Sequence, residues 1–497
     1  MDVAPHQHLF FWFFEARNVA PSTAPLTIWL NGGPGDPSMV GLFSDNGPCG
    51  VDYNGNLYYN PYSWNNVSNM IYIDQPTQVG FSYSETVNGY MDPDSGETVT
   101  VPGNTCPDYA PADSCGTFSN GNYSQTSNST PDAAPNVWRA LQGFMGAFPQ
   151  YSRSTINLAT ESYGGHYGPV FADYFETQNA ANIAGAKNIN LQSLSVGNGW
   201  YDPVIQYPAY YNYTVSPGNT YDFQPYNSTT AAEVYNGFYG AGNCLDQLRD
   251  CNARGIDEVC EAADDFCYSF ESVYDTVTGR DEYDIRELSP DPFPYTFFVD
   301  YLNQPRVQQA IGAYVNFSYA VTNLGAGTVA NAFTYTGDDA RQFNITGKIQ
   351  SLLRAGISVL QYAGDADYNC NWLGGEAVAG QINAPGFSAA GYQNLTTSDN
   401  RVHGVVKQAG KFSFVRVYDS GHSVPFYQPL AALTMFSRLI TGRDIATGLR
   451  VVGSNYASVG PSRSTYHNGG STIQQDVVDE SCVYDTQTNT PGNCSNA

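Results

Sequence analysis

Short apolar runs bounded by turn residues recur along the chain: Leu9–Phe14, Leu26–Leu30, Met70–Ile73, Ile156–Ala159, Leu191–Val196, Ile357–Tyr362 and Phe412–Val417. Continuous runs of this length fit strands buried on both faces of a mostly parallel sheet. Helical patterns lie between them. Val137, Leu141, Phe144 and Phe148 recur at helix spacing until Pro149 stops them. Tyr167, Val170, Phe171 and Tyr174 form a second apolar stripe, and a last helix is expected over Gln428–Leu439. Strands alternating with helices predict an α/β sandwich, a central sheet with helices on both faces. Residues 1–199 and 336–448 read as the sheet-bearing core. Residues 200–335, where tyrosines multiply and periodicity fades, read as an inserted cap, and 449–497 as a polar extension. Asn104–Pro131, rich in Ser, Asn, Gly and Pro, reads as a surface loop.

Composition sets limits on partners. With 497 residues, 42% of them hydrophobic, the chain can bury a large core. Its 46 Asp and Glu against 20 Lys and Arg leave a formal charge of −26. That balance argues against binding nucleic-acid phosphates, which takes Lys and Arg, and against polybasic attachment to a membrane. No apolar stretch approaches the roughly 20 residues of a spanning helix. Oligomeric state is not readable.

The ten cysteines are even in number and locally spaced. Cys244 and Cys267 can pair around Cys251 and Cys260, giving a stapled, hairpin-like excursion. Cys106 can close a short loop with Cys115, and Cys482 another with Cys494. Cys49 and Cys370 are left over, to pair or to stay free. No C-x-x-C or H-x-x-E spacing offers a zinc site, so neither metal nor cofactor is expected. Nine N-x-S/T sequons, at Asn66, Asn122, Asn128, Asn212, Asn227, Asn316, Asn344, Asn394 and Asn493, join the cysteines in favouring an oxidising secretory route. Residues 1–14 lack the order of a signal peptide. The expectation is a secreted chain, or in second place a vacuolar one, that has lost its signal and pro-segment.

The richest stretch is INLATESYGGHYGPVF, Ile156–Phe171. A buried strand runs into Glu161-Ser162-Tyr163-Gly164-Gly165 and then into an apolar helix. That is the setting of a nucleophile elbow, although Thr160 stands where the usual pentapeptide has Gly. A serine hydroxyl needs a base. Of the six histidines, His6 and His8 precede the serine and suit a strand, while His166 suits packing on the helix. His403 lies in a polar loop and His467 in the tail. His422 follows the strand Phe412–Val417 at its C-terminal end, the edge where open α/β sheets hold their sites. The acid should follow the strand Ile357–Tyr362, where Asp365 and Asp367 compete and spacing does not choose.

WLNGGPG (29–35), IDQPTQVGFSYS (73–84), ESYGGHY (161–167), YAGDADYNCNWLG (362–374) and GHSVPFYQP (421–429) together resemble the serine carboxypeptidases, α/β-hydrolase peptidases active in acid. The likeness spans about residues 8–440 and is strongest to secreted fungal members. It implies the α/β-hydrolase fold with an inserted, disulfide-stapled cap. It also implies release of single C-terminal amino acids from peptides and proteins through an acyl-enzyme, with Ser162, Asp367 and His422 as the triad. The second Asp of G-D-x-D is the family's acid, which selects Asp367. The oxyanion donors would be the N–H groups of Gly33 and Tyr163. The substrate carboxylate would meet Asn31, Gly32 and a protonated Glu161, with Asp45 standing where many relatives carry Glu.

Some positions depart from the family pattern. Asp36-Pro37 replaces a common Cys-Ser, Ser423 follows the histidine where Met is common, and Ser44 stands at a place often aromatic. Asn369 and Cys370, near the acyl-side pocket, are more polar than an apolar slot requires. Two other readings remain: an esterase or acyltransferase on the same fold, and a non-catalytic secreted binding protein. A metallocarboxypeptidase is disfavoured, because no H-x-x-E exists.

Overall fold

The seven apolar runs become strands of one nine-stranded sheet. The computed structural model describes residues 1–92, 98–103, 105–110, 114–215, 218–289, 295–319, 328–469, 484–485 and 490–491. The strands are β1 (Phe10–Phe14), β2 (Leu26–Leu30), β3 (Asn69–Asp74), β4 (Ile156–Glu161), β5 (Leu191–Gly197), β6 (Ser358–Gly364), β7 (Tyr392–Thr396), β8 (Val402–Ala409) and β9 (Phe412–Val417), in the order β7-β8-β9-β6-β5-β4-β2-β3-β1. The six central strands, β9 to β3, run parallel. Antiparallel neighbours close both edges, β1 at one and β8 with β7 at the other. Adjacent residues face opposite sides, so Ile28 and Leu158 enter one core and Trp29 and Ala159 another. Helices α1 (Thr130–Ala147) and α2 (Gly164–Ala181) cover the first side. The helix Pro429–Ile440, within one residue of expectation, brings Phe436 to the second.

Two segments differ from the sequence reading. Within Asn104–Pro131, Cys115–Ser119 is a strand paired with Thr86–Met91, and α1 already begins at Thr130. The buried carboxylate of Asp338, remote in sequence, accepts the Thr130 N–H and hydroxyl at that helix start. The described residues of 200–335 are strongly helical despite their weak periodicity. They include α3 (Pro203–Thr214), α4 (Ser228–Tyr239), α5 (Cys244–Arg254) and α6 (Asp257–Glu271). Asp202 and Asn227 cap α3 and α4 by accepting N–H groups of the first turn, and Gly255 ends α5 at φ 65°.

Disulfides join Cys244 to Cys267 and Cys251 to Cys260, the nested arrangement, and Cys106 to Cys115. Cys49 and Cys370 do not pair: both are free, the first half-buried and the second buried. Cys482, Cys494 and Asn493 lie outside the described residues. Asn122, Asn128, Asn212, Asn227, Asn344 and Asn394 are exposed and Asn316 is half-buried. Among the described sequons Asn66 differs. It is buried, and its amide donates to Pro61 O at 2.7 Å, which leaves no room for a glycan. No helix among the described residues is long and apolar enough to cross a membrane.

Candidate active site

Ser162 stands between β4 and α2 with φ 62°, a left-handed conformation that turns the chain sharply at the strand end. Its N–H donates to Gly197 O at 3.0 Å, and its carbonyl accepts from Trp200 N at 2.9 Å. The turn is too crowded for side chains. A Cβ on Gly164 would lie 2.5 Å from Thr160 Cβ, and one on Gly165 would lie 2.3 Å from Trp200 O. Thr160, the departure from the usual pentapeptide, is buried and donates its hydroxyl to Gly164 O. Gly32 presses on the same turn: a Cβ there would sit 2.5 Å from Tyr163 N and 2.7 Å from Ser162 Cβ. Gly33, at φ 102°, follows directly. The loop after β2 thus packs on the start of α2, with Gly32 against Tyr163 N and Ser162. Tyr163 is anchored by its own hydroxyl, which donates to Asp338 at 2.6 Å.

The geometry separates the two competing acids. Asp367 is fully buried and its Oδ2 lies 2.8 Å from His422 Nδ1. Asn198 Nδ2 donates to the same oxygen at 2.7 Å, and Cys370 N donates to Oδ1 at 3.2 Å. Asp365 points away, accepting from Tyr221 OH at 3.0 Å. The histidines divide as cleanly. His8 lies in a two-residue strand beside Asp2, whereas His6 is in the turn before it at φ 54° rather than in a strand. His166 is buried against Arg341 O, and burial pushes its pKa down to about 4. His403 and His467 pair with Asp399 and Asp222. Burial disfavours a charged His422, yet Asp367, then Asp45 and Glu282, outweigh it and hold the ring above its ordinary pKa.

A second set of carboxyls lies beside this dyad without a Lys or Arg ion pair among the described residues. Glu161 and Asp45 are both buried, and Ser423 Oγ donates to Glu161 Oε1 at 3.4 Å. Burial, and then the Asp45 charge, pushes Glu161 well above the carboxylate range. Burial pushes Asp45 up to about 7. Asn31 Oδ1 already accepts from Trp29 Nε1 and Gly41 N, at 2.7 and 3.0 Å, so the side chain has its NH₂ left to offer. Asn369 is tied to Glu282 and Tyr210, and Cys370 Sγ lies 3.3 Å from Asn369 Oδ1. Ser44 is half-buried on the segment that carries Asp45.

Asp367, Cys370 and His422 each bring one donor atom within 4.8 Å of the others, a spacing a metal could use. The carboxylate and imidazole are already hydrogen-bonded to each other, and burial holds the Cys370 thiol well above its ordinary pKa and protonated. A metal needs a thiolate, so this donor set suits a catalytic dyad better.

Three residues here were not singled out from the sequence. Asn198 follows β5, and its amide bridges Asp367 and the Gly364 N–H. Asp338 anchors both α1 and Tyr163. Tyr283 accepts the His422 N–H through its carbonyl at 2.8 Å. Asn198 had a signal, since it lies two positions past the apolar run Leu191–Val196 at the same sheet edge as the others. The other two are loop residues with no local pattern to mark them.

A parallel sheet with a serine elbow at its C-terminal edge and a buried Asp–His pair following later strands defines an α/β-hydrolase. Residues 1–442 match the family model described as serine carboxypeptidase, and the chain belongs to that family of hydrolases acting on peptide bonds. Carboxypeptidase S1 of Penicillium janthinellum is 39% identical over 456 residues, 90% of this chain and 95% of that protein. Carboxypeptidase S1 homolog B of Arthroderma otae is 38% identical over 490 residues, 92% of this chain and 73% of the relative. The structure is also similar in fold to Kex1Δp, a prohormone-processing carboxypeptidase from Saccharomyces cerevisiae. That match has a TM-score of 0.68 at 23% identity, covering 88% of this chain and 87% of the other.

Proposed function

We propose that this enzyme removes single amino acids from peptide C-termini in acid, with Ser162 as nucleophile, His422 as base and Asp367 as its partner. His422 takes the Ser162 proton as the hydroxyl attacks the scissile carbonyl, then gives it to the departing amine. A water repeats the sequence to release the acyl group. Asp367 fixes the ring tautomer and stabilises the imidazolium without taking the proton itself. The N–H groups of Gly33 and Tyr163 receive the oxyanion. Residues 200–335 serve as a cap over a core of 1–199 and 336–448, with 449–497 as an extension. The enzyme's setting is the secretory route, outside the cell or, second, in a vacuole.

The observation that carries the exopeptidase reading is the buried trio Glu161, Asp45 and Ser423 beside Asn31, with no Lys or Arg among them. A carboxyl that burial keeps protonated can donate a hydrogen bond to a substrate carboxylate. Loss of that proton as pH rises weakens peptide binding. At the acid end, Asp45 and Glu282, each pushed up to about 7 by burial, become neutral and stop raising the imidazole. His422 thereby stays a usable base further into acid than its surroundings at neutral pH suggest.

Blocked dipeptides and their C-terminal amides, incubated in acid, test the reading. Release of the free C-terminal amino acid in strong preference to cleavage of the amide supports it. Ester cleavage alone would make the chain an esterase or acyltransferase. Failure of an organophosphonate to label Ser162 would make it a binding protein.

A further inference from the structure

The C-terminal extension does more than trail from the last helix. Arg416 sits within β9, where all six residues are buried, and is itself 1% exposed. Its guanidinium lies 3.8 Å over the Trp372 ring. Three acceptors take its protons: Ser464 Oγ at 2.9 Å, Tyr466 O at 2.7 Å and Thr220 Oγ1 at 2.8 Å. Two of the three come from the extension, beyond the last residue of the family match. The nearest carboxylate is Asp365, at 4.0 Å.

Residues 456–468 are fastened along their length. Gly410 N donates to Tyr456 O, Ser458 bonds Gln408 and Gly391, and Tyr392 N donates to Pro461 O, all at 2.6–3.2 Å. Further on, the Tyr466 ring stacks on Tyr418 with centroids 3.9 Å apart. Asn468 N then donates to Thr220 O at 2.7 Å, and His467 pairs with Asp222. The segment thus runs from the β7–β8 edge to the loop 219–222. That loop holds the turn of the acids. Asp365 O accepts from Thr220 Oγ1 and Tyr213 OH, its Oδ1 accepts from Tyr221 OH, and its N–H donates to Val417 O. Asp367 follows two residues later.

We propose that residues 456–468 are a strap that, through Arg416 and Thr220, positions the turn bearing Asp367. Arg416 is thereby a positioning residue for the acid partner of His422. A buried guanidinium stripped of acceptors is costly and seeks new ones. The nearest are on the Asp365 turn, so loosening the strap draws that turn off register and weakens the Asp367–His422 bond. The inference rests on the proposed role of Asp367. The charged and titratable groups around His422 are Asp367, Asp45, Glu282, Asp36, Tyr283 and Cys370, with Glu161 bonded to the adjoining Ser423. The strap acts only on the first of these.

The test uses the full chain carrying Ser464→Ala with Tyr466→Ala, and separately Arg416→Met, with a blocked dipeptide as substrate well below the unfolding temperature. The expected result is a fall in kcat of about 10- to 100-fold with KM little changed. The acid limb of kcat/KM should move to lower pH, because a loosened Asp367 no longer raises the imidazole as far. Tyr466→Phe, which keeps the stacking, should behave as the parent. If Arg416→Met does not fold, the double variant still decides. A folded double variant with parental kcat and acid limb overturns the proposal, even if its Tm has dropped. Organophosphonate labelling of Ser162 in the parent keeps the two claims apart. Its absence defeats the active-site reading, whereas labelling with unaffected strap variants defeats only the strap.

Discussion

The sheet edge and the helices of 200–335 bury their residues by different means. At the edge, strands of continuous apolar character end in short turns that carry the three residues of the proposed triad: Ser162 after β4, Asp367 after β6 and His422 after β9. In α3–α6 the holding elements are two disulfides, capping side chains and tyrosine pairs such as Tyr207 with Tyr210 and Tyr211 with Tyr235. The edge carries the proposed chemistry. The other region supplies surroundings, including the Tyr283 carbonyl that accepts the His422 N–H and the Glu282 carbonyl that accepts two N–H groups of the 368–369 turn. Changes at the edge should therefore strike kcat, and changes among the helices should strike stability first.

The largest effect should follow Ser162→Ala, a fall in kcat of about 10⁶-fold with the fold intact. Asp367→Asn should cost about 10⁴-fold through the wrong imidazole tautomer, whereas Asp365→Asn should cost far less. Steady-state rates on a blocked dipeptide compare the pair directly. Gly32→Ala comes next. Its Cβ meets Tyr163 N and Ser162, so it should displace an oxyanion donor and cost about 10²–10³-fold in kcat. The contrast sharpens with Cys251→Ser and Cys260→Ser together. Removing that crosslink should lower unfolding free energy by about 2–3 kcal/mol in denaturant melts while kcat moves little. A kcat loss as large as that of Gly32→Ala would erase the distinction between the regions.

Buried carboxyls occur in both regions, and they give a smaller, shared effect. Burial pushes Asp36, Asp338 and Asp365 up to about 6, and Asp74, Asp339 and Glu282 up to about 7. A carboxyl whose folded pKa exceeds its unfolded value of about 4 binds its proton more tightly in the fold. The stability it contributes is complete below the unfolded pKa and is lost as pH rises through the folded one. Tm should accordingly be higher near pH 5 than near pH 8, read by calorimetry at constant ionic strength. A Tm that rises across this range would contradict the assignment.

Much of the site was legible because its turns directly follow apolar runs. Glu161-Ser162-Tyr163 ends one run, and Asp365 to Asp367 and His422 each follow another. The edge strands β7 and β8 were missed because Gln393, Asn394, His403 and Lys407 interrupt their apolar character, as partly exposed antiparallel strands allow. The helices of 200–335 were missed because tyrosines fill much of the buried face of α3 and cysteines much of those of α5 and α6. Asp338 and Tyr283 were missed because their roles depend on loops far apart in sequence. The choice between Asp365 and Asp367 rested on likeness alone until the 2.8 Å contact with His422 separated them on geometry.

The central claim is that Glu161, kept protonated by burial beside Asp45, recognises the substrate carboxylate. The most direct measurement is KM for a blocked dipeptide and for its amide from pH 4 to 8, in the parent and in Glu161→Gln. The parent's dipeptide KM should climb with pH while the amide's stays level, and Glu161→Gln should flatten the climb. Parallel KM profiles for the two substrates, or a climb unchanged in Glu161→Gln, would contradict it.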